Sequence, residues 1–124
     1  MNIDTSAQAL GAFSVAQQVS ANNVANVNTE GFRSSRVDFE TTAEGGVAVA
    51  DIRRSSEPGP LASTTKLETD AGRTEAVPAY VQGSNTDIAR EMVGMGVNEA
   101  AFNANASAVR AWDQMTGNLL DMVV

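Results

Sequence analysis

The sequence of 124 residues contains no cysteine and no histidine. Because there is no thiol, the chain cannot form a disulfide or use a thiolate, and it suits oxidising and reducing compartments alike. The absence of histidine removes the commonest general base and metal ligand near neutral pH, and a serine–histidine triad with it. No phosphate-binding Gly-x-x-x-x-Gly-Lys loop is present either. These absences predict a protein that is not an enzyme and that binds no cofactor, metal or small-molecule substrate.

Basic residues, aromatic residues and long apolar runs are also scarce. Eight basic residues stand against fifteen acidic ones, so the formal charge is −7 and no basic excess is available for phosphate groups. No apolar run approaches the roughly 20 residues that a membrane span needs, and no basic-then-apolar leader opens the chain. We therefore predict no nucleic-acid partner, no transmembrane segment and, if the protein is exported, a route without a cleaved signal peptide. Aromatic residues are only 5% of the chain, which does not favour a dense core.

The N-terminal segment, residues 1–32, is predicted to be a helix that ends in an asparagine-rich turn. Residues 1–29 contain a single charged residue, Asp4, and their apolar residues follow a helical period. The outward positions carry Ser, Gln and Asn, where a surface helix of a monomer would carry charges. The composition of this helix therefore departs from that of an ordinary solvated helix.

The middle segment, residues 33–83, loses the helical period. The alternating stretch 47–52 predicts one short strand that could form half of a hairpin, and a second short strand is predicted near 79–81. Between and around them, Pro58-Gly59-Pro60 and many Ser and Thr residues predict an irregular loop over most of 53–83. Such a long loop is uncommon in a compact domain, so it is expected to be mobile or to be ordered by neighbouring molecules.

The C-terminal segment, residues 84–124, is predicted to be a long helix capped by Ser84 or Asn85. Apolar residues recur at coiled-coil spacing along one side: Ile88, Met92, Met95, Phe102 and Val109. A second stripe, rich in small residues, lies nearly opposite: Ala101, Ala104, Ala108, Trp112 and Leu119. The alternative is an Ala-rich helix buried within its own domain. Because the chain offers one other long helix, which covers one side, two apolar faces favour self-assembly with other copies.

Three amides near the end of the first helix, Asn22, Asn23 and Asn26, form the most unusual local feature. Amides both donate and accept hydrogen bonds, so they can bridge helices in a water-poor assembly without burying charge. Thr29, Gly31 and Phe32 follow, with Gly31 allowing a positive φ in the turn. The alternative is that the amides only cap the end of the helix.

The stretch from Ala21 to Phe32 resembles the Ala-Asn-Asn-(aliphatic)-Ala-Asn-x-x-Thr-x-Gly-(aromatic) signature of bacterial flagellar rod, hook and hook-associated axial proteins. It matches that signature at every defined position. The segment from Ser84 to Val93 is similar to the C-terminal motif of the same family, and 101–105 matches its Ala-(aromatic)-x-Ala-Asn. The two motifs together cover about half of the chain, in the expected order.

The resemblance implies a mainly α fold. Two long terminal helices would pair antiparallel as a coiled-coil-like hairpin, with a short irregular or β middle segment. Residues 1–32, 33–83 and 84–124 would form the N-terminal helix and turn, the middle segment and the C-terminal helix, and the two helices would make one discontinuous helical domain. Ala101, Ala104, Ala108 and the coiled-coil seam would then be helix-packing residues.

The resemblance also implies a function. The chain would be a structural subunit of the flagellar basal-body rod, most like a small proximal-rod subunit, that assembles with copies of itself and with other rod and hook proteins to transmit torque. It would lie in the rod that spans the periplasm, after export through the flagellar type III secretion apparatus. The alternative is a soluble helical-hairpin adaptor or secretion chaperone, which would form a discrete small oligomer.

Overall fold

The computed structural model describes residues 3–123. The chain forms, in order, α1 (Ile3–Ala25), β1 (Ser35–Thr41), β2 (Val47–Arg54), β3 (Leu61–Asp70), β4 (Arg73–Gln82) and α2 (Ile88–Val123). The strands pair as two separate antiparallel sheets, β1 with β2 and β3 with β4, which we call hairpin 1 and hairpin 2.

The prediction of a mainly α helical hairpin with a short irregular middle segment is wrong. The fold is 49% helix and 29% strand, and the strands form two small sheets. The expected loop over most of 53–83 is largely hairpin 2, whose two strands have ten residues each. The physical reason is visible in the sequence: Thr, Val and Tyr favour strands, and Ala71-Gly72 makes a tight two-residue turn. Both turn residues have positive φ, 50° at Ala71 and 79° at Gly72, as a type I′ turn requires.

Hairpin 1 is shorter and irregular. Its strands meet at a turn in which the Thr42 amide donates to the Gly46 carbonyl at 2.9 Å and Gly45 has a φ of 84°. A bulge between Asp38 and Phe39 shifts the register, which increases the local twist.

The packing centre of the molecule lies on α1. This helix contacts α2 and both strands of hairpin 1, and its buried apolar side chains are all small: Ala9, Ala12 and Ala16. The Phe13 and Phe39 rings pack at a centroid distance of 5.6 Å and join α1 to β1. Because the buried apolar residues are alanines, the helix backbone can approach its neighbours closely, but little apolar area is buried.

Hairpin 2 has no such support. Among the elements that the structure describes, β3 and β4 contact only each other. Leu61, Leu67 and Tyr80 on these strands are 69–77% exposed. A two-stranded hairpin alone is marginally stable in water, so hairpin 2 lacks most of the stabilisation that hairpin 1 receives.

Candidate functional site

The side chain of Asn23 joins three parts of the chain. It is 1% exposed, and its Nδ2 donates to the Ser35 carbonyl at 2.7 Å and to Glu91 Oε1 at 3.0 Å. Its Oδ1 accepts from the Ser35 amide at 2.9 Å. A buried amide with all of these partners fixes the end of α1 against the start of β1 and the first turns of α2.

Asn85, just before α2, makes a second connection of the same kind. Its Oδ1 accepts from the Ser34 amide at 2.7 Å, and its Nδ2 donates to Ser55 Oγ and to the Glu57 carbonyl, both at 2.9 Å. The two strand ends of hairpin 1 are thereby held by one side chain. We call Asn23, Asn85 and their partners the junction.

The root of hairpin 2 is fixed to the same region through the backbone. The Gly31 amide donates to the Gln82 carbonyl, and the Gly83 amide donates to the Pro60 carbonyl, each at 2.8 Å. Gly31 has a φ of 66°, which a residue with a side chain would adopt only with strain. Gly59 lies so close to Gly83 that an added Cβ would come within 2.0 Å of the Gly83 carbonyl oxygen. Glycine is therefore required where hairpin 2 leaves the junction.

The other two amides of the predicted motif, Asn22 and Asn26, do not join distant parts of the chain. Asn22 is exposed, and Asn26 Nδ2 donates to the Asn22 carbonyl at 2.9 Å, which caps the end of α1. Thr29 Oγ1 donates to Asn26 Oδ1 at 3.1 Å and holds the turn. Phe32 is half-buried, and its backbone carbonyl accepts a hydrogen bond from the backbone N–H of Asn85 at 3.2 Å. The three amides are thus not equivalent: Asn23 acts inside the chain, and Asn22 faces outward.

The two predicted stripes of α2 are only half covered. No residue of α2 is buried, and α1 is the one described element that contacts this helix. Half-buried positions come from both stripes: Met95, Val109, Ala101, Ala108 and Trp112. Exposed positions also come from both: Ile88, Met92, Phe102, Ala104 and Leu119. A large part of the apolar surface of α2 therefore has no partner within the described chain.

The C-terminal end of α2 extends beyond α1. Asn23 bonds to Glu91, and residues 13–17 line a small groove with residues 98–102. The two helices run antiparallel and rise by the same distance per residue. Ile3, the first described residue of α1, therefore lies level with about residue 111 of α2. The last three turns of α2 therefore have no neighbouring helix in the described part of the chain.

We call residues 113–123 the overhang. It carries several large apolar side chains that are 55–86% exposed: Met115, Leu119, Leu120, Met122 and Val123. The end of α2 therefore exposes apolar side chains on the surface of the described chain.

Hairpin 1 carries the two ion pairs found among residues 3–123. Asp38 accepts from Arg53 and lies 3.3 Å from Arg36 Nε. The hydrogen bond from Arg53 holds the pKa of Asp38 below its ordinary value, with a smaller contribution from the charge of Arg36. The Arg36 and Arg53 side chains are 74% and 62% exposed and that of Asp38 is 25% exposed, so both ion pairs stay accessible to water and add little to stability.

The described residues offer no evident catalytic arrangement. Residues 3–123 contain no group of three His, Cys, Asp or Glu side chains placed to hold a metal ion. One Ser-x-x-Lys spacing, from Ser63 to Lys66, falls on β3, where the two side chains point to opposite faces and cannot act together. Neither described helix combines the length and apolar character that a membrane span requires.

Several residues of the junction were missed by sequence reasoning. Ser35 and Glu91 bind Asn23, and Asn85 was considered only as a helix cap. The cap of α2 is instead Asp87, whose Oδ1 accepts from the Arg90 amide at 3.2 Å. An acidic residue directly before the helical period could have identified this cap. The role of Asn85 has no local signal, because its partners lie 28–51 residues away in the sequence.

Two family models match the chain. "Flagella basal body rod protein" matches residues 3–33, and "Flagellar basal body rod FlgEFG protein C-terminal" matches residues 77–122. The first match covers α1 and the amide-rich turn, and the second runs from the end of β4 through nearly all of α2. No curated protein is similar enough to count as a match. The two matched regions meet in space at the junction, where Asn23 contacts Glu91.

Proposed function

Because this chain belongs to the flagellar basal-body rod protein family, we propose that it is a rod subunit that polymerises through its two helices and transmits torque. The families that it matches are structural rod proteins of the flagellar basal body. The proposal goes further by naming the surfaces that assemble: the overhang and the exposed side of α2. Residues 1–32 and 84–124 would form the assembling unit, with hairpin 1 packed on it and hairpin 2 projecting from it.

The overhang is the single observation that carries this proposal. Its exposed side chains include Met115, Leu119 and Met122, each at least 55% exposed. Burying a side chain of this size contributes about 1.5–3 kcal/mol, so three turns of helix offer a substantial driving force for association. Helices of neighbouring subunits are the partners that fit, because the exposed residues recur at helical spacing.

The exposed small residues support close packing on the same helix. Ala104 is exposed, whereas Ala101 and Ala108 are half-buried. A neighbouring helix could approach the backbone closely at Ala104, and Asn22 could bridge to it from the end of α1. In this proposal Asn23 is a folding residue, whereas Asn22 remains a candidate contact between copies.

Assembly with other rod and hook proteins fits membership of the family. We further propose that the subunit reaches the periplasm-spanning rod through the flagellar type III export apparatus, without cleavage of a signal peptide. The buried core is small, with only three alanines, Asn23 and Ser84 as buried side chains among residues 3–123, and this would let the chain travel unfolded at low cost.

The test compares two substitutions in the overhang. Leu119→Glu places a charge on the apolar surface, whereas Asn118→Glu changes an exposed neighbour on the same turn. We expect Leu119→Glu to abolish incorporation into basal bodies and motility, and Asn118→Glu to have a much smaller effect. Circular dichroism of both isolated chains should match that of the unmodified chain.

Two results would oppose the proposal. Normal motility and normal rods with Leu119→Glu would mean that the overhang is not an assembly surface. A discrete small oligomer bound to a client protein, with no chain in purified basal bodies, would instead support an adaptor or secretion chaperone.

A further inference from the structure

Hairpin 2 carries all of its charged side chains on one face. Its register places Glu68 opposite Glu75 and Asp70 opposite Arg73, and Lys66 lies on the same side because alternate residues share a face. Like charges directly opposite each other destabilise a strand pair. Within residues 3–123 neither Glu68 nor Glu75 forms an ion pair. The hairpin therefore presents two adjacent carboxylates near its tip that form no ion pair within the described chain, on a face where three carboxylates outnumber two cations.

A groove at the junction offers the complementary charge. It has a volume of about 580 Å³ and lies between α1, the open end of hairpin 1 and the first turns of α2. Four of the eight basic residues of the chain line it: Arg36, Arg53, Arg54 and Arg90. Arg36 and Arg53 are engaged by Asp38, but Arg54 and Arg90 form no ion pair in the described part of the chain.

The acidic residues of the groove do not cancel this charge. Glu57 and Glu91 also line it, and Glu91 is occupied by the Asn23 amide. With Asp38, which pairs with Arg36 and Arg53, four guanidinium groups stand against three carboxylates and leave one net positive charge, in a chain whose overall charge is −7. The groove therefore attracts carboxylates.

The tip of hairpin 2 cannot reach the groove of its own chain. Ten residues of strand span about 33 Å, and the root of the hairpin is fixed at the junction by Gly31 and Gly83. Among the described elements the two strands of hairpin 2 contact only each other. A carboxylate pair that occupies the groove must come from another molecule.

We propose that Arg54 and Arg90 of one copy bind Glu68 and Glu75 at the tip of hairpin 2 of a second copy. Opposing strand residues have Cβ atoms about 5 Å apart, so two carboxylates can enter one groove together. The planar guanidinium groups pair with carboxylates through two parallel hydrogen bonds. The contact would neutralise Glu68 and Glu75, which repel each other in hairpin 2. It would also give Arg54 and Arg90 of the groove their ion-pair partners.

This contact joins different surfaces of the two copies. Such head-to-tail interfaces generate rings or open helical filaments, which suits a rod. The inference rests on the proposed function, because it assumes that copies of the chain assemble with one another.

The absence of cysteine allows a direct test with introduced pairs. Ser56→Cys places a thiol in the groove, and Val77→Cys places one on the charged face of hairpin 2. Ala76→Cys is the matched control, because Ala76 is the adjacent residue on the opposite face. Basal bodies from cells that produce Ser56→Cys with Val77→Cys are treated with a short bis-maleimide and separated under denaturing conditions. We expect a ladder of linked subunits with Val77→Cys and almost none with Ala76→Cys.

Charge reversal then tests the chemistry of the contact. Two purified chains are mixed at high concentration, one with Val77→Cys and the other with Ser56→Cys. Adding Glu68→Arg and Glu75→Arg to the Val77→Cys chain should reduce the linkage between them about 10–100-fold. Adding Arg54→Glu and Arg90→Glu to the Ser56→Cys chain should restore linkage. Restoration also shows that the reversed chains are folded.

The outcomes separate the two proposals. A ladder from Ala76→Cys in place of Val77→Cys, or none from either in basal bodies that contain the chain, would overturn this contact and leave the rod function intact. Linkage unchanged by charge reversal would also overturn it. If the chain were missing from basal bodies altogether, the rod function would fail and this contact with it.

Discussion

Hairpin 1 and hairpin 2 are both antiparallel pairs in one small protein, yet only hairpin 1 is held by the rest of the chain. Hairpin 1 contacts α1 along both strands, and Asn23 and Asn85 bind its ends. Hairpin 2 is longer and more regular, but it is attached only at its root. Regular strand pairing therefore does not indicate which hairpin is the more stable.

The difference shows how this chain divides its surfaces. Polar residues of the junction fix hairpin 1 at the meeting point of the two helices, so it belongs to the folded unit. Hairpin 2 and the overhang project from that unit with exposed Leu, Tyr and Met side chains. The projecting parts are the ones that a neighbouring subunit would order.

The largest expected effect is that of Asn23→Asp on the folding of the monomer. The carboxylate cannot donate to the Ser35 carbonyl, and it would lie beside Glu91 in a buried site. We expect the free energy of unfolding to fall by roughly 2–4 kcal/mol, measured by denaturant titration. Asn22→Asp is the control, because Asn22 is exposed and the monomer should scarcely change. Equal, small effects of both substitutions would mean that the junction does not hold the fold.

A second substitution separates packing within the chain from packing between copies. Ala12 is 5% exposed, so Ala12→Leu should overpack α1 and cost the monomer about 1–3 kcal/mol. Ala104→Leu, at an exposed position of α2, should leave the monomer unchanged but impair assembly into rods. Thermal unfolding of the monomer and a motility assay measure the two effects. Normal motility with Ala104→Leu would mean that this side of α2 faces solvent in the assembled rod.

A matched aromatic pair compares the two hairpins directly. Phe39 of hairpin 1 is 42% exposed and packs on Phe13, so Phe39→Ala should cost the monomer about 1–2 kcal/mol. Tyr80 of hairpin 2 is 77% exposed, and Tyr80→Ala should change monomer stability by less than about 0.5 kcal/mol. If Tyr80→Ala proved the more damaging to the isolated chain, hairpin 2 would have support that the described contacts do not include.

The smallest effect concerns the pH dependence of hairpin 1. The pKa of Asp38 is lowered in the folded chain, chiefly by the hydrogen bond from Arg53. Its ion pairs therefore stabilise the fold above the pKa of the unfolded carboxyl and lose that contribution as the pH falls through the folded value. Asp38→Asn should remove this part of the acid dependence below about pH 4, seen as a slightly flatter plot of unfolding free energy against pH. An unchanged plot would show that the pair is not maintained in solution.

The sequence predicted the helices better than the strands. Long segments with a clear helical period and few strong breakers correspond to α1 and α2, and helix formation depends on these local patterns. Pro58-Gly59-Pro60 and the many Ser and Thr residues predict a loop, but the strands of hairpin 2 begin directly after Pro60. The Ala71-Gly72 turn and the alternation of charged with uncharged residues around it were the signals for two strands.

The junction was harder to predict for a physical reason. The stretch from Ala21 to Phe32 identified the family, but nothing local distinguishes the buried Asn23 from the exposed Asn22. The distinction depends on Ser35 and Glu91, which the fold brings to one side of α1. Long-range partners of this kind are set by the arrangement of the elements and not by spacing within one of them.

Amide hydrogen exchange on the monomer and on assembled rods tests the central claim most directly. In the monomer we expect strong protection in α1 from residue 9 to 23 and in hairpin 1, and weak protection in hairpin 2 and in the overhang. In assembled rods, hairpin 2 and residues 113–123 should become strongly protected, while protection in hairpin 1 changes little. Rapid amide exchange in hairpin 2 and in the overhang of the assembled rod would contradict the account.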